Sequence, residues 1–143
     1  MDFLQPAGWP RAKGYSNGIS ASGRTVVVSG MIGWDADCRF QTDDFAGQVR
    51  QALLNIVAVL AEADAGPEHI VRMTWYVLDK QEYVNAYKEI GDAYREIIGR
   101  HYPTMTAVQV VALIEDRAKV EIEVTAIVPE KTGQHRSTPA PCA

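Results

Sequence analysis

Lys119, Glu121 and Glu123 recur at every second position of the run Lys119 to Val128, KVEIEVTAIV. On an extended chain they share one face with Thr125, while Val120, Ile122, Val124 and Ala126 take the other. Two carboxylates and a lysine thus share one sheet face, beside a nearly wholly apolar neighbouring run. Either that face is wet or it lines a site. The other reactive residue types are scattered. His69, His101 and His135 lie far apart and are not paired with cysteines or carboxylates at metal-ligand spacing, so no metal site is expected. His101 directly precedes a Tyr-Pro pair and is expected to face solvent from a loop. There is no G-x-S-x-G, phosphate-binding loop with Lys, G-x-G-x-x-G, C-x-x-C or H-E-x-x-H, and no cofactor is implied.

Composition narrows the classes. A chain of 143 residues, 47% hydrophobic and 22% charged, suffices for one domain with its own core. With 14 basic against 18 acidic side chains and no basic cluster, nucleic acid is not an expected partner. The opening MDFLQPAGWPRAKG has no basic region leading into an apolar one, and the run Ile56 to Ala61 is far too short to span a bilayer. The expectation is a cytoplasmic protein without a membrane partner. Cys38, beside a turn, and Cys142, near the end, are expected to be free thiols.

The elements that must position these residues read as follows. Tyr15 to Ser20, a turn at Ser22-Gly23 and the strand Arg24 to Ser29 predict a first hairpin. Val26, Val27 and Val28 place apolar groups on both faces of that strand, so both faces should be covered. Gly30 and Gly33 mark a bend at its end. Phe45, Val49, Leu53, Ile56 and Leu60 predict a helix over Asp44 to Ala63, capped by Thr42 or Asp43 and ended by Gly66-Pro67. Ile70 to Leu78 reads as a strand whose Val71, Met73, Trp75 and Val77 face packs on the helices. A second helix is predicted from about Lys80 to Gly99, with Val84, Tyr87, Gly91, Tyr94 and Ile98 on one stripe. His101 to Ile127 then reads as a hairpin of Thr106–Leu113 with Lys119–Val128. The order β-β-α-β-α-β-β gives an α+β domain, residues 1–128, with two helices on one face of a mixed sheet. Residues 129–143 are polar and Pro-containing, and are expected to form a disordered tail. Two helices cover only one face, so further copies of the chain are expected over Val27, Val108 and Val110.

Taken together, Gly14-Tyr15-Ser16, Val28-Ser29-Gly30, Gln48-x-Arg50-Gln51-x-Leu53-x-Asn55, Val71 to Asp79, Tyr102-Pro103 with Val108, Val110 and Leu113, and Val120-Glu121-Ile122-Glu123 resemble one family. This is the reactive intermediate deaminase family, RidA-like proteins formerly called YjgF and also endoribonuclease L-PSP-like, over roughly Gly14 to Val128. The resemblance implies a chorismate-mutase-like fold and a homotrimer whose sheets form a central barrel, with small-molecule clefts between subunits. Active members hydrolyse enamines and imines to 2-oxo acids and ammonia.

By that resemblance Glu121 is the catalytic carboxylate near the attacking water. Tyr15 stands at the cleft edge, and Gly30 and Ala107 present main-chain groups to the ligand. Trp34 closes the cleft from a loop, unless it simply packs. The family's aromatic-Pro-x-Arg motif, whose arginine holds the substrate carboxylate, reads Tyr102-Pro103-Thr104-Met105. A thioether cannot replace a bidentate guanidinium. Met105 therefore argues against the usual 2-imino acid, unless Arg24 or Arg72 brings a cation from elsewhere. Thr104, Thr106 and Gln109 offer neutral hydrogen bonds. The readings are an imine or enamine hydrolase, a non-catalytic metabolite-binding trimer and, against the charge balance, an endoribonuclease.

Overall fold

The computed structural model describes residues 1–131. A four-stranded mixed sheet is built from β3 (Arg24–Ile32), β4 (Ile70–Val77), β5 (Thr104–Gln109) and β6 (Val120–Val128), in the order β3-β6-β4-β5. β6 runs antiparallel to both β3 and β4, and β5 runs parallel to β4. The helices are α1 (Phe45–Glu62), α2 (Lys80–Asn85) and α3 (Tyr87–Ile97). Two short strands, β1 (Asp2–Leu4) and β2 (Gly18–Ser20), pair separately. The architecture is α+β, as the order of elements predicted.

Alternation along β6 sorts the sheet's faces. Val120, Ile122, Val124 and Ala126 are buried with Met73, Trp75 and Val77 of β4 and with Val49, Leu53, Ile56 and Leu60 of α1 in one core. Glu121, Glu123 and Thr125 take the other face, opposite Tyr76, Thr74 and Arg72. On that helix-free face Val27 is 73% exposed, so β3 carries an apolar group that this single chain leaves uncovered.

Four sequence expectations are corrected. His101 to Ile127 is not a hairpin, because β4 lies between β5 and β6. Both pair well with β4, and period-2 patterning does not record which strand is the neighbour. The β5 strand ends at Gln109, where Val110 N donates to Val77 O at 2.9 Å. Val111 and Ile114 beyond it are almost fully exposed. Nor do β2 and β3 form a hairpin; β2 pairs with β1, a strand the Pro-rich opening concealed. The second helix is broken at Ala86 (φ −99°, ψ 10°), where α2 ends and α3 begins. Its apolar stripe runs straight through the break and gave no sign of it. Finally, α1 is capped by Asp44, whose Oδ2 accepts from Gly47 N at 2.8 Å, while Thr42 Oγ1 accepts from Asp44 N at 3.0 Å one step earlier. The predicted tail from residue 132 onward, with Cys142, lies outside the described residues. Cys38 is a free, exposed thiol.

Candidate functional site

Glu121 is positioned by an irregularity in β3. The β3–β6 register runs evenly to Val28↔Val124, then shifts by one residue before Met31↔Ile122 and Ile32↔Glu121. A β-bulge therefore lies at Ser29-Gly30. It brings Gly30 beneath the Glu121 side chain. A Cβ at Gly30 would stand 2.8 Å from Glu121 Cγ and Cδ, and closer still to Oε1, so glycine leaves the space the carboxylate occupies. Among the described residues Glu121 makes no ion pair and no side-chain hydrogen bond. Next to it, Tyr76 donates to Glu123 Oε1 at 2.8 Å. That bond, chiefly, and then partial desolvation hold the Tyr76 phenol above its ordinary range. Lys119 is drawn away to Glu82, at 3.2 Å.

Met105 lies on the other face of the sheet. Its partner in the parallel ladder is Met73, and that of Ala107 is Trp75, both helix-side residues. Met105 and Tyr15 meet in one cavity of about 670 Å³. Tyr15 reaches it because Ser16 extends the sheet beyond β5: it bridges Thr104, its N donates to Pro103 O at 3.0 Å, and its Oγ donates to Tyr102 O at 2.5 Å. Trp75, Tyr83, Tyr87, Tyr94 and Tyr102 complete an aromatic lining. Tyr94 and Tyr102 stack with centroids 5.7 Å apart, and Tyr83 meets Tyr87 edge-on at 5.2 Å. Tyr94 donates to His101 O at 2.6 Å. Burial pushes the Tyr83 and Tyr94 phenols upward, with the tyrosine neighbour as the lesser cause in each case. The Trp75 indole N–H is buried with no acceptor among the described residues.

Within one chain the named residues thus fall into groups. Glu121 and Gly30 share the helix-free face, Tyr15 and Met105 share the aromatic cavity, and Ala107 lies exposed on β5 beside it. Trp34 belongs to neither. Its ring packs at 6.0 Å from Phe40, in a separate surface cavity with Cys38 and Arg117. Of the alternative cations, Arg24 is tied to Ala63 O at 2.7 Å and Arg72 lies on the helix-free face beside Val27 and Glu123, so within one chain neither lines the Met105 cavity. The cations that do line it are Lys13 and Arg95, which the sequence reading missed. A signal was present: Arg95 follows Tyr94 and stands four residues after Gly91, a spacing that returns it to the same helix face.

These features define a class: a small α+β sheet-and-helix protein with a carboxylate that is unpaired among the described residues on one sheet face and an aromatic cavity on the other. The chain belongs to the family described as Endoribonuclease L-PSP, whose model matches residues 9–128. It is 32% identical to the RutC family protein UK114 of Drosophila melanogaster over 79% of this chain and 78% of that one. It is 31% identical to the 2-iminobutanoate/2-iminopropanoate deaminase of Bos taurus, covering 87% of this chain and 88% of the relative. Among solved structures, the Rid-family protein YyfB of Yersinia pestis superposes with a TM-score of 0.79 at 26% identity, over 89% of this chain and 98% of that one. Rv2704 of Mycobacterium tuberculosis superposes with a TM-score of 0.60 at 35% identity, over 80% and 87%.

Proposed function

We propose that this protein hydrolyses imines or enamines of small metabolites to a carbonyl compound and ammonia, in clefts completed between copies of a homotrimer. Water adds to the carbon of the protonated C=N group as one of its protons passes to Glu121; Glu121 returns that proton to the carbinolamine nitrogen, and ammonia leaves and takes up the hydroxyl proton, giving the carbonyl compound and ammonium. The observation that carries this reading is the Glu121 carboxylate, set over Gly30 by the bulge and committed to no other side chain among the described residues. The bovine relative's name, an iminobutanoate/iminopropanoate deaminase, supports the reaction class. The need for a second copy follows from the ladder. Glu121 and Met105 occupy opposite faces of one sheet, so a cleft using both takes them from two chains, and exposed Val27 would be covered by the same assembly.

Met105 turns the site away from short 2-imino acids anchored by a strand arginine. It also favours a second reading, a trimer that binds a metabolite without turning it over. RNA cleavage draws no support from a chain of net charge −4. Ammonia release from 2-aminoacrylate and from a panel of imines with and without carboxylates separates the first two. Turnover that Glu121→Gln lowers by about 10²-fold or more supports hydrolysis. Ligand-induced stabilisation without product across the panel supports the binder. Turnover undiminished in Glu121→Gln removes the mechanism. Gain of 2-aminoacrylate activity in Met105→Arg would identify a retuned pocket. A light-scattering mass of one chain down to micromolar concentration would remove the trimer.

A further inference from the structure

We propose that the Met105 cavity binds a ring-bearing organic acid, its ring held among the tyrosines and its carboxylate taken by Arg95 of α3 with Lys13 beside it. The reading rests on the proposed hydrolase only for the reacting group; the binding claim stands on the cavity. Six aromatic side chains line it: Tyr15, Trp75, Tyr83, Tyr87, Tyr94 and Tyr102. Their edge-on and stacked pairings leave ring faces and edges for a further planar group. At about 670 Å³ the space falls within the ~300–1,000 Å³ typical of sites that enclose small organic ligands. It is generous for an acid of three or four carbons.

Charge selects among ring-bearing ligands. Among the described residues of one chain both charged lining residues are cations; the carboxylate that a second copy would bring is Glu121, at the reacting end of the cleft. An aromatic cage alone would also suit an organic cation, but Arg95 and Lys13 oppose one. Arg95 Nη2 is held by Asp92 at 2.6 Å, which fixes the guanidinium while leaving its other donors available. Gly91, one turn earlier, has no side chain to displace it; a Cβ there would stand 3.3 Å from Arg95 Nη1. Lys13 makes no ion pair among the described residues. Met105 fits the same picture. A thioether beside aromatic edges makes favourable contacts that a charged guanidinium among neutral phenols would forgo. The cation has moved from the strand to the helix, and the released strand position contributes to an apolar wall.

The test is calorimetric titration of the whole chain with phenylpyruvate, 2-oxobutanoate and phenyltrimethylammonium. Phenylpyruvate should bind about tenfold or more tightly than either of the others. Arg95→Gln should weaken it by about tenfold or more, the loss expected for one charge-assisted hydrogen bond, whereas Lys131→Gln, away from the cavity, should not. Tyr87→Ala should weaken phenylpyruvate and leave 2-oxobutanoate unchanged. Melting curves confirm that each variant is folded. Equal binding of the two acids, tighter binding of the ammonium, or undiminished binding by folded Arg95→Gln would overturn the proposal. Intact phenylpyruvate binding with no ammonia from any imine sinks the hydrolase and keeps this site. Turnover of alkyl imines without phenylpyruvate binding does the reverse.

Discussion

Gln48 offers the sharpest test of how the site is held. It is fully buried in the first turns of α1, and its side-chain amide reaches two loops. Nε2 donates to Thr42 O at 3.2 Å and Arg117 O at 3.0 Å, and Oε1 accepts from Lys119 N at 2.8 Å. One side chain therefore anchors the segment entering α1 and the segment entering β6, two residues before Glu121. Gln48→Leu removes all three bonds and leaves three backbone groups poorly satisfied. At about 1 kcal/mol net for each bond, with up to ~3 for a group left buried and unpaired, the cost is about 3 kcal/mol after some return of solvent. Gln48→Glu keeps the shape and adds a titration. Facing two carbonyl oxygens in a buried position, the carboxyl is held protonated, so its folded pKa rises above the unfolded value of about 4.3. The folded state then binds more protons than the unfolded state above that pH, and stability falls as pH rises. Against the parent, Gln48→Glu should cost about 1 kcal/mol below about pH 4, where its single O–H replaces only one of the two amide donors, then lose a further ~1.4 kcal/mol per pH unit until the folded pKa is passed. Urea unfolding at matched protein concentration, from pH 4 to 8, gives both numbers. A Gln48→Leu loss below about 0.5 kcal/mol, or a Gln48→Glu difference independent of pH, would refute the three-bond account.

Two glycine substitutions should diverge. Gly33→Ala places a Cβ 2.6 Å from Gln48 Cβ and 2.7 Å from its Cα; the helix backbone must shift, and thermal unfolding should report a loss of about 1–3 kcal/mol. Gly30→Ala meets only the movable Glu121 side chain; it should cost about 1 kcal/mol or less yet displace the carboxylate, so imine turnover should fall while the melting temperature barely moves. Trp75→Phe removes an indole N–H that has no acceptor among the described residues, and denaturant unfolding should show less than the ~3–5 kcal/mol of a full aromatic truncation. Tyr83 and Tyr94 have raised folded pKa values, so their contribution is complete below the unfolded phenol value of about 10 and is lost as pH rises beyond it. Alkaline unfolding followed with spectrophotometric tyrosinate titration should show Tyr94→Phe less sensitive than the parent, and equal sensitivity would count against the burial of that phenol.

Much of the fold was legible because burial imposes period. The β6 alternation, the α1 stripe and the apolar face of β4 from Met73 to Val77 each matched a single face of the core, whereas the predicted Val71 gives way to buried Ile70 at a register shift. Neighbour choice was not legible: β5 and β6 read as a hairpin because both carry strand patterning, and only the assembled sheet shows β4 between them. The cap of α1 was blurred by three adjacent capping residues, Thr42, Asp43 and Asp44. For the site, resemblance singled out Glu121, Gly30, Tyr15 and Met105, but not their division between faces. That division follows from ladder parity, which depends on the bulge at Ser29-Gly30 and on pairing between distant segments. Arg95 was not singled out, because the second helix was read through its apolar stripe and Arg95 is not part of that stripe.

The helix break at Ala86 has an evolutionary corollary. Tyr83 ends up on α2 and Tyr87 on α3, so the angle between these two helices sets how the two touching rings are presented to the aromatic cavity. Substitutions at the joint, on residues that touch no ligand, would widen or narrow the opening while every lining side chain stayed the same. Selectivity in such a protein can drift through its hinge, and comparison of the lining residues alone would miss it.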